Sequence, residues 1–236
     1  MFASATLMNL FRLLLALPSL CLAQGTGSLD LDGRQVTIPP PVGMRSFMGL
    51  DAAVDFGARK AASISNNRLL DRFCLPSEAK QVKRGSPPER FDAIFDAQID
   101  SRMEAFDLSS EKFELLVAKY REAFLPTAAS TKVSEALAAG TEAKWKSLFG
   151  SDVELQTVCN GSVAVGEDAL IYTAFTKISV DGGADLVCYV ASAIVRLNNR
   201  LIVLNATDYT PNDHSDTLDS IKIWVKSVVS DNNKEK

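Results

Sequence analysis

The chain is predicted to fold as α+β, a mostly antiparallel sheet flanked by helices in a single domain. Three observations carry this. The half after residue 150 is a series of strand-like runs, alternating or continuously apolar, joined by short polar links. Segments 111–124 and 216–229 instead carry apolar side chains at helical spacing. The late strands follow one another through hairpin-sized connections with no helices between them, which favours antiparallel pairing with helices laid on the sheet. Of the 236 residues 47% are apolar and 23% charged, so the chain can bury a core and lacks the composition of a disordered one.

The N-terminus reads as an address. One charge, Arg12, precedes an almost unbroken apolar run over 13–22, and Ala23-Gln24-Gly25 follows. A basic start, a short apolar core and a small residue at the cut make a secretory signal over 1–23. The run would be about 15 Å long as a helix, roughly half a hydrocarbon core, so no stable membrane span is expected once it is removed. Met8 is an alternative start; Leu20 before Cys21 is not the small residue that lipoprotein processing needs. Removing 23 of 236 residues, and with them Arg12, leaves 213 residues with a charge one more negative than −4. This mildly acidic body has no Lys/Arg-rich block, so neither nucleic acid nor anionic lipid is expected as a partner.

Residues 24–35, rich in Gly, Ser and Asp, are expected to be a flexible leader to a domain over 36–230. Val36-Thr37-Ile38 reads as a short strand stopped by Pro39, Pro40 and Pro41. A helix is expected over 50–64, capped by Asp51 and weakened by Gly57, then a strand over 68–75. Residues 77–90 read as a polar connection. In 91–100, Phe91, Ala93, Phe95, Ala97 and Ile99 alternate with mostly polar positions, the pattern of a half-buried strand with Asp92, Asp96 and Asp100 on a solvated face. On a strand four residues span about 13 Å, too far for two of these carboxylates to share one ion.

Ser109 or Ser110 can cap the helix over 111–124, which Pro126 ends, and 130–149 supplies one or two helical pieces divided near Gly140. Strands are expected over 153–158 and 169–180, and the nearly all-apolar run 186–195 as a central strand. Asn198-Asn199 then fits a tight hairpin into a strand over 201–205. A helix over 216–229 and a frayed tail over 231–236 close the chain.

The order of these elements carries a resemblance. Ile38-Pro39-Pro40-Pro41-Val42-Gly43, a helix, Asn67-Arg68-Leu69-Leu70 opening a strand, a C-terminal hairpin and a last helix bearing Trp224 resemble uncharacterised exported bacterial proteins. The layout is also similar to the PsbP-like α/β sandwich. The resemblance implies a binding or assembly role and transfers no functional residue; the helical segment 130–149 departs from it.

Motifs that could carry chemistry are few. Ser77-Glu-Ala-Lys80 and Ser109-Ser-Glu-Lys112 fit Ser-x-x-Lys, which in β-lactamase-like enzymes sets an amine beside a serine nucleophile, yet the companion Lys-Thr-Gly and Ser-Asp-Asn motifs are missing. His214, the one histidine, lies between Asp213 and Asp216 without the spacing of an EF-hand and reads as part of a capping loop. Cys159 and Cys188 could form a disulfide in an oxidising compartment, with Cys74 left over, or all three could be small buried hydrophobes. Gly161, Gly166, Gly182 and Gly183 mark strand boundaries and open no phosphate-binding helix. Asn160-Gly-Ser162 and Asn205-Ala-Thr207 fit the glycan acceptor pattern, which turn and strand asparagines explain equally well. No catalytic residue, metal ligand or cofactor is assigned. The expectation is a secreted or periplasmic protein, a non-catalytic module of the cell envelope that binds a small ligand or protein; the alternative is an envelope hydrolase using one Ser-x-x-Lys serine.

Overall fold

A computed structural model describes residues 28–123, 128–180, 185–209 and 215–233. The expected signal over 1–23 and His214 lie outside the described residues. The elements run β1 (Ser28–Leu31), β2 (Arg34–Thr37), β3 (Arg45–Ser46), α1 (Ala52–Ile64), β4 (Asn67–Cys74), α2 (Pro76–Lys83), β5 (Ala93–Asp100), α3 (Ser110–Ala123) and α4 (Ala128–Phe149). They continue with β6 (Val153–Ala164), β7 (Ala169–Val180), β8 (Leu186–Leu197), β9 (Arg200–Asp208) and α5 (Ser215–Asn233). Strands β3 to β9 form one sheet in the order β3-β4-β5-β9-β8-β7-β6, and every neighbouring pair is antiparallel. Helices lie on both of its faces, so the fold is α+β in one domain.

The leader begins as structure. Residues 28–37, placed mostly in the flexible 24–35 segment by composition, form the β1–β2 hairpin. Asp32 (φ 52°) and Gly33 (φ 76°) make its two-residue turn, the conformation for which Asp-Gly is suited, and the Gly33 amide donates to Asp30 Oδ1 at 2.7 Å. Leu31 and Val36 are fully buried against the sheet and α5. The far end is ordered too: residues 231–233 belong to α5. Asn232 accepts from the Thr37 amide at 2.9 Å and donates to the Thr37 carbonyl at 2.7 Å, tying the last helical turn to β2.

Several expected elements form for the expected reasons. Asp51 Oδ1 accepts from the Ala53 and Val54 amides at 2.9 and 3.0 Å and starts α1, which runs through Gly57. Asn198 (φ 47°) and Asn199 (φ 62°) make the β8–β9 turn. Helix α4 is continuous through Gly140. Glu142 on α4 accepts from the outward Leu155 amide of edge strand β6 at 2.7 Å, and Lys144 donates to the Ile64 carbonyl at the end of α1 at 2.8 Å.

Two further expectations change. The polar connection 77–90 opens as α2, with Pro76 in its first turn and buried Glu78 accepting from the Leu75 amide (3.0 Å) and the Asp92 amide (2.8 Å). Its apolar signal is only Ala79 and Val82, too little periodicity to read. Strand β5 has no solvated face: it lies between β4 and β9 with helices on either side, and Ile94, Phe95, Asp96, Ala97 and Ile99 are all buried. Of Asp92, Asp96 and Asp100 only Asp92, just ahead of the strand, is exposed.

Side chains alternate across the sheet. One face, with Phe73, Phe95, Ala191, Ala193, Ile202 and Leu204, packs against Ile221, Trp224, Val225 and Val228 of α5. The opposite face packs Leu170, Ile194 and Leu201 under Phe113 of α3, and Leu69 under Ala58 and Ala62 of α1.

Candidate functional site

Polar side chains form a row across the face opposite α5. Arg72 (β4) pairs with Asp96 (β5), Asp96 with Asn205 (β9), Asn205 with Ser192 (β8), Ser192 with Tyr172 (β7) and Tyr172 with Ser162 (β6). Directly paired residues project to the same side, so the six side chains share one line perpendicular to the strands. At the usual strand spacing the line covers about 19 Å from β4 to β7.

Hydrogen bonds join its centre. Ser192 Oγ donates to Asn205 Oδ1 at 2.7 Å, and Asn205 Nδ2 donates to Asp96 Oδ1 at 2.9 Å. Gln98 Nε2 donates to the same Oδ1 at 2.6 Å, and Asn67 holds Gln98 from its other side at 2.8 Å. The Asp96 side chain thus takes two amides on one oxygen, while no described residue bonds Oδ2. Arg72 faces Asp96 across the strand pair, yet among the described residues the two form no ion pair. The guanidinium lies over the Phe47 ring at 5.9 Å, and its Nε is buried without an acceptor among the described residues.

Aromatic pairs bound the row. Phe47 stacks on Phe91 at 5.2 Å beside Arg72, and Tyr172 meets Tyr120 of α3 at 5.9 Å. Asp96 and Ser192 are buried, whereas Arg72, Asn205, Tyr172 and Ser162 are half-buried, as are Val190, Val203, Thr207 and Tyr209 beside them. The row therefore touches solvent along most of its length.

Burial dominates the protonation chemistry. It pushes the Asp96 carboxyl above the usual carboxylate range, against the opposing pull of Arg72, Asn205 and Gln98. Burial also raises the Tyr172 and Tyr209 phenols, which stay neutral near pH 7. The Cys188 thiol is pushed up to about 11 and Cys74 to about 12, so neither is a ready nucleophile. What the row offers is a fixed array of donors and acceptors.

The residues singled out by sequence fall elsewhere. Ser77 and Lys80 lie exposed on α2. Ser109 Oγ accepts from the Lys112 amide at 3.4 Å as a cap, while the Lys112 amine donates to the Asp107 carbonyl at 3.2 Å and lies over the Phe106 ring. Neither Ser-x-x-Lys motif is therefore seen to couple its serine to its amine. Cys159 and Cys188 lie on β6 and β8 with β7 between them, about 10 Å apart by strand spacing and beyond the reach of a disulfide. Their position in one strand-rich region suggested pairing; the meander puts a strand between them. Asn160 is exposed beside a bulge at Gly161, whereas Asn205 is committed to the row. Among the described residues no three His, Cys, Asp or Glu side chains converge as a metal site, and no helix is long and apolar enough to cross a membrane.

Sequence reasoning missed the row because its members come from six strands and no local motif joins them. A signal was nonetheless present: Ser192 and Asn205 interrupt runs that are otherwise almost wholly apolar.

Three buried carboxyls, Asp55, Asp71 and Asp96, are raised chiefly by desolvation, and Asp55 Oδ1 is buried without a partner among the described residues. A carboxyl raised in the folded state contributes stability fully present below its unfolded value, near ~4, and lost as pH rises through the folded value. Asp100 and Asp185 are lowered by Arg102 and Lys177 and act oppositely, losing their contribution as pH falls through their folded values. The melting-temperature difference between wild type and Asp96→Asn is therefore expected to move in favour of the wild type as pH is lowered toward the unfolded carboxyl value. Thermal melts of both proteins at several pH values decide it, and a difference that moves the other way contradicts the assignment.

No protein-family model matches the chain, and no curated protein matches it. Among solved structures it is similar to the Ran-binding protein Mog1p of Saccharomyces cerevisiae, with 9% identity and a TM-score of 0.30 over 85% of this chain and 87% of that one. The fold class rests on the strand topology itself.

Proposed function

We propose that this chain is an exported, non-catalytic binding module of the cell envelope that takes its ligand on the polar row of the sheet. The observation that carries the reading is the row: hydrogen-bonded polar side chains, buried at Asp96 and Ser192 and partly exposed at the other four, crossing a sheet whose other positions are largely apolar. Such a few convergent polar groups on an apolar floor orient a bound molecule. The raised phenols and thiols, and a carboxyl already holding two amides, suit recognition better than proton transfer. Export is supported by Arg12, the apolar run and Ala23, and a binding role agrees with what the PsbP-like resemblance implies.

The two halves of the proposal are tested separately. Expressed with its own N-terminus in a bacterial host, the protein is expected in the periplasmic fraction beginning at Gln24; a cytosolic product beginning at Met1 or Met8 removes the export half. Titrating the mature protein with pools of small polar compounds is expected to shift backbone amide resonances in β4, β5, β8 and β9. Shifts confined to other elements move the site away from the row.

A further inference from the structure

Resting on that binding reading, we infer that the row recognises a neutral carbohydrate, with a sugar hydroxyl bridging Asp96 Oδ2 and the Arg72 guanidinium. The two side chains are cross-strand partners that do not close on each other, and each keeps a polar atom without a protein partner among the described residues. The hydrogen bonds to Asp96, only 6% exposed, all fall on Oδ1, and Arg72 Nε is buried without an acceptor among the described residues. Leaving a buried guanidinium N–H unpaired is costly in a folded protein, and a group held between it and the Asp96 carboxylate would relieve that cost.

The identity of that group follows from hydrogen-bond capacity. An ionised carboxylate only accepts and a guanidinium only donates, so one atom satisfying both must donate and accept at once. A hydroxyl does this. A carboxylate ligand would meet Asp96 with like charge, and an ammonium would meet Arg72. The row holds one cation, Arg72, and one carboxylate, Asp96, so a neutral ligand leaves no charge uncompensated. Farther along, the half-buried Asn205 amide has a second N–H besides the one given to Asp96, and half-buried Thr207, two residues on along the same strand, adds a hydroxyl. Beside them the half-buried Tyr209 ring and Val190 supply a surface for the C–H face of a sugar ring.

The test uses the mature chain with maltotriose, cellotriose and chitotriose, read by saturation-transfer NMR and calorimetry, beside glucuronate and glutamate as charged probes. At least one neutral trisaccharide is expected to bind. Asp96→Asn, which keeps the acceptor for Asn205 and Gln98 but presents an amide donor in place of Oδ2, should weaken it by about tenfold or more. Half-exposed Arg72→Met should do likewise and carries the test if the Asp96 variant does not fold, while Ser77→Ala should bind as wild type. A trisaccharide that binds with unchanged affinity to both row variants overturns the inference. So does the absence of neutral binding when a charged probe shifts the same residues, an outcome that leaves the binding reading standing. If neither neutral nor charged probes perturb any residue of the row, the carbohydrate inference and the binding reading fall together.

Discussion

Trp224→Ala is expected to cost about 3–5 kcal/mol of folding stability, a large share of what a domain of this size possesses. Trp224 is 1% exposed, the largest fully buried side chain, and stands where α5 meets the middle of the sheet. Its ring meets Phe73 of β4 edge-on at 5.6 Å and Phe95 of β5 at 5.7 Å, geometry in which aromatic pairs add to plain area burial. Its Nε1 donates to the Pro39 carbonyl at 2.7 Å, so the indole also fastens the proline segment that follows the β1–β2 hairpin. Alanine would open a cavity the rigid sheet cannot fill and strip the Pro39 carbonyl of its donor. Trp224→Phe keeps most of the apolar volume and loses the bond, with an expected cost of about 1–2 kcal/mol. Denaturant unfolding followed by circular dichroism measures both. An alanine variant within about 1 kcal/mol of wild type shows that α5 is not the keystone of this face.

The second large effect is expected at Arg200. This guanidinium, 4% exposed at the start of β9, donates to the Leu31 carbonyl at 3.1 Å, the Asp32 carbonyl at 3.1 Å and the Phe106 carbonyl at 3.2 Å. Its ion pairs are long, 3.5 Å to Asp32 and 3.8 Å to Asp107, and those carboxylates are well exposed, so the carbonyls bind it more than the charges do. Arg200→Ala would leave three backbone acceptors without this donor, each costing about 1–3 kcal/mol if it stays dry, and a total of about 3–5 kcal/mol is expected. The loss should be local first: amides of 28–37 would exchange faster as the hairpin lifts, while those of β7 and β8 keep their protection. Arg200→Lys should restore part of the effect at most, because an ammonium cannot fork to three carbonyls in one plane. Hydrogen exchange by mass spectrometry distinguishes the cases, and unchanged exchange in the hairpin refutes the staple role.

Much of the architecture was written locally. Asp51 caps α1, Asn198-Asn199 turns β8 into β9, and the apolar stripe of α5 carries Ile221, Trp224, Val225 and Val228, each through a contact within a few residues. The errors have physical causes of the opposite kind. Residues 28–35 look solvated because six of their eight side chains are small or polar, but Leu29 and Leu31 are inserted against a core supplied by α5, nearly two hundred residues later. Asp96 looks like one of three solvated aspartates, and only the positions of β4 and β9 on either side of β5 bury it. The candidate serines, cysteines and histidine were conspicuous as residue types, whereas the site the structure assembles uses ordinary strand residues.

Alternation, capping and turn chemistry therefore decided the class of fold, most of its elements and the proposed export address, since each depends on interactions a few residues long. The order of the strands, the burial of Asp96, the separation of Cys159 from Cys188 and the line from Arg72 to Ser162 were decided by tertiary structure alone. Strand order and register are set by the burial of whole faces, and one register step would send every member of the row to the opposite side of the sheet.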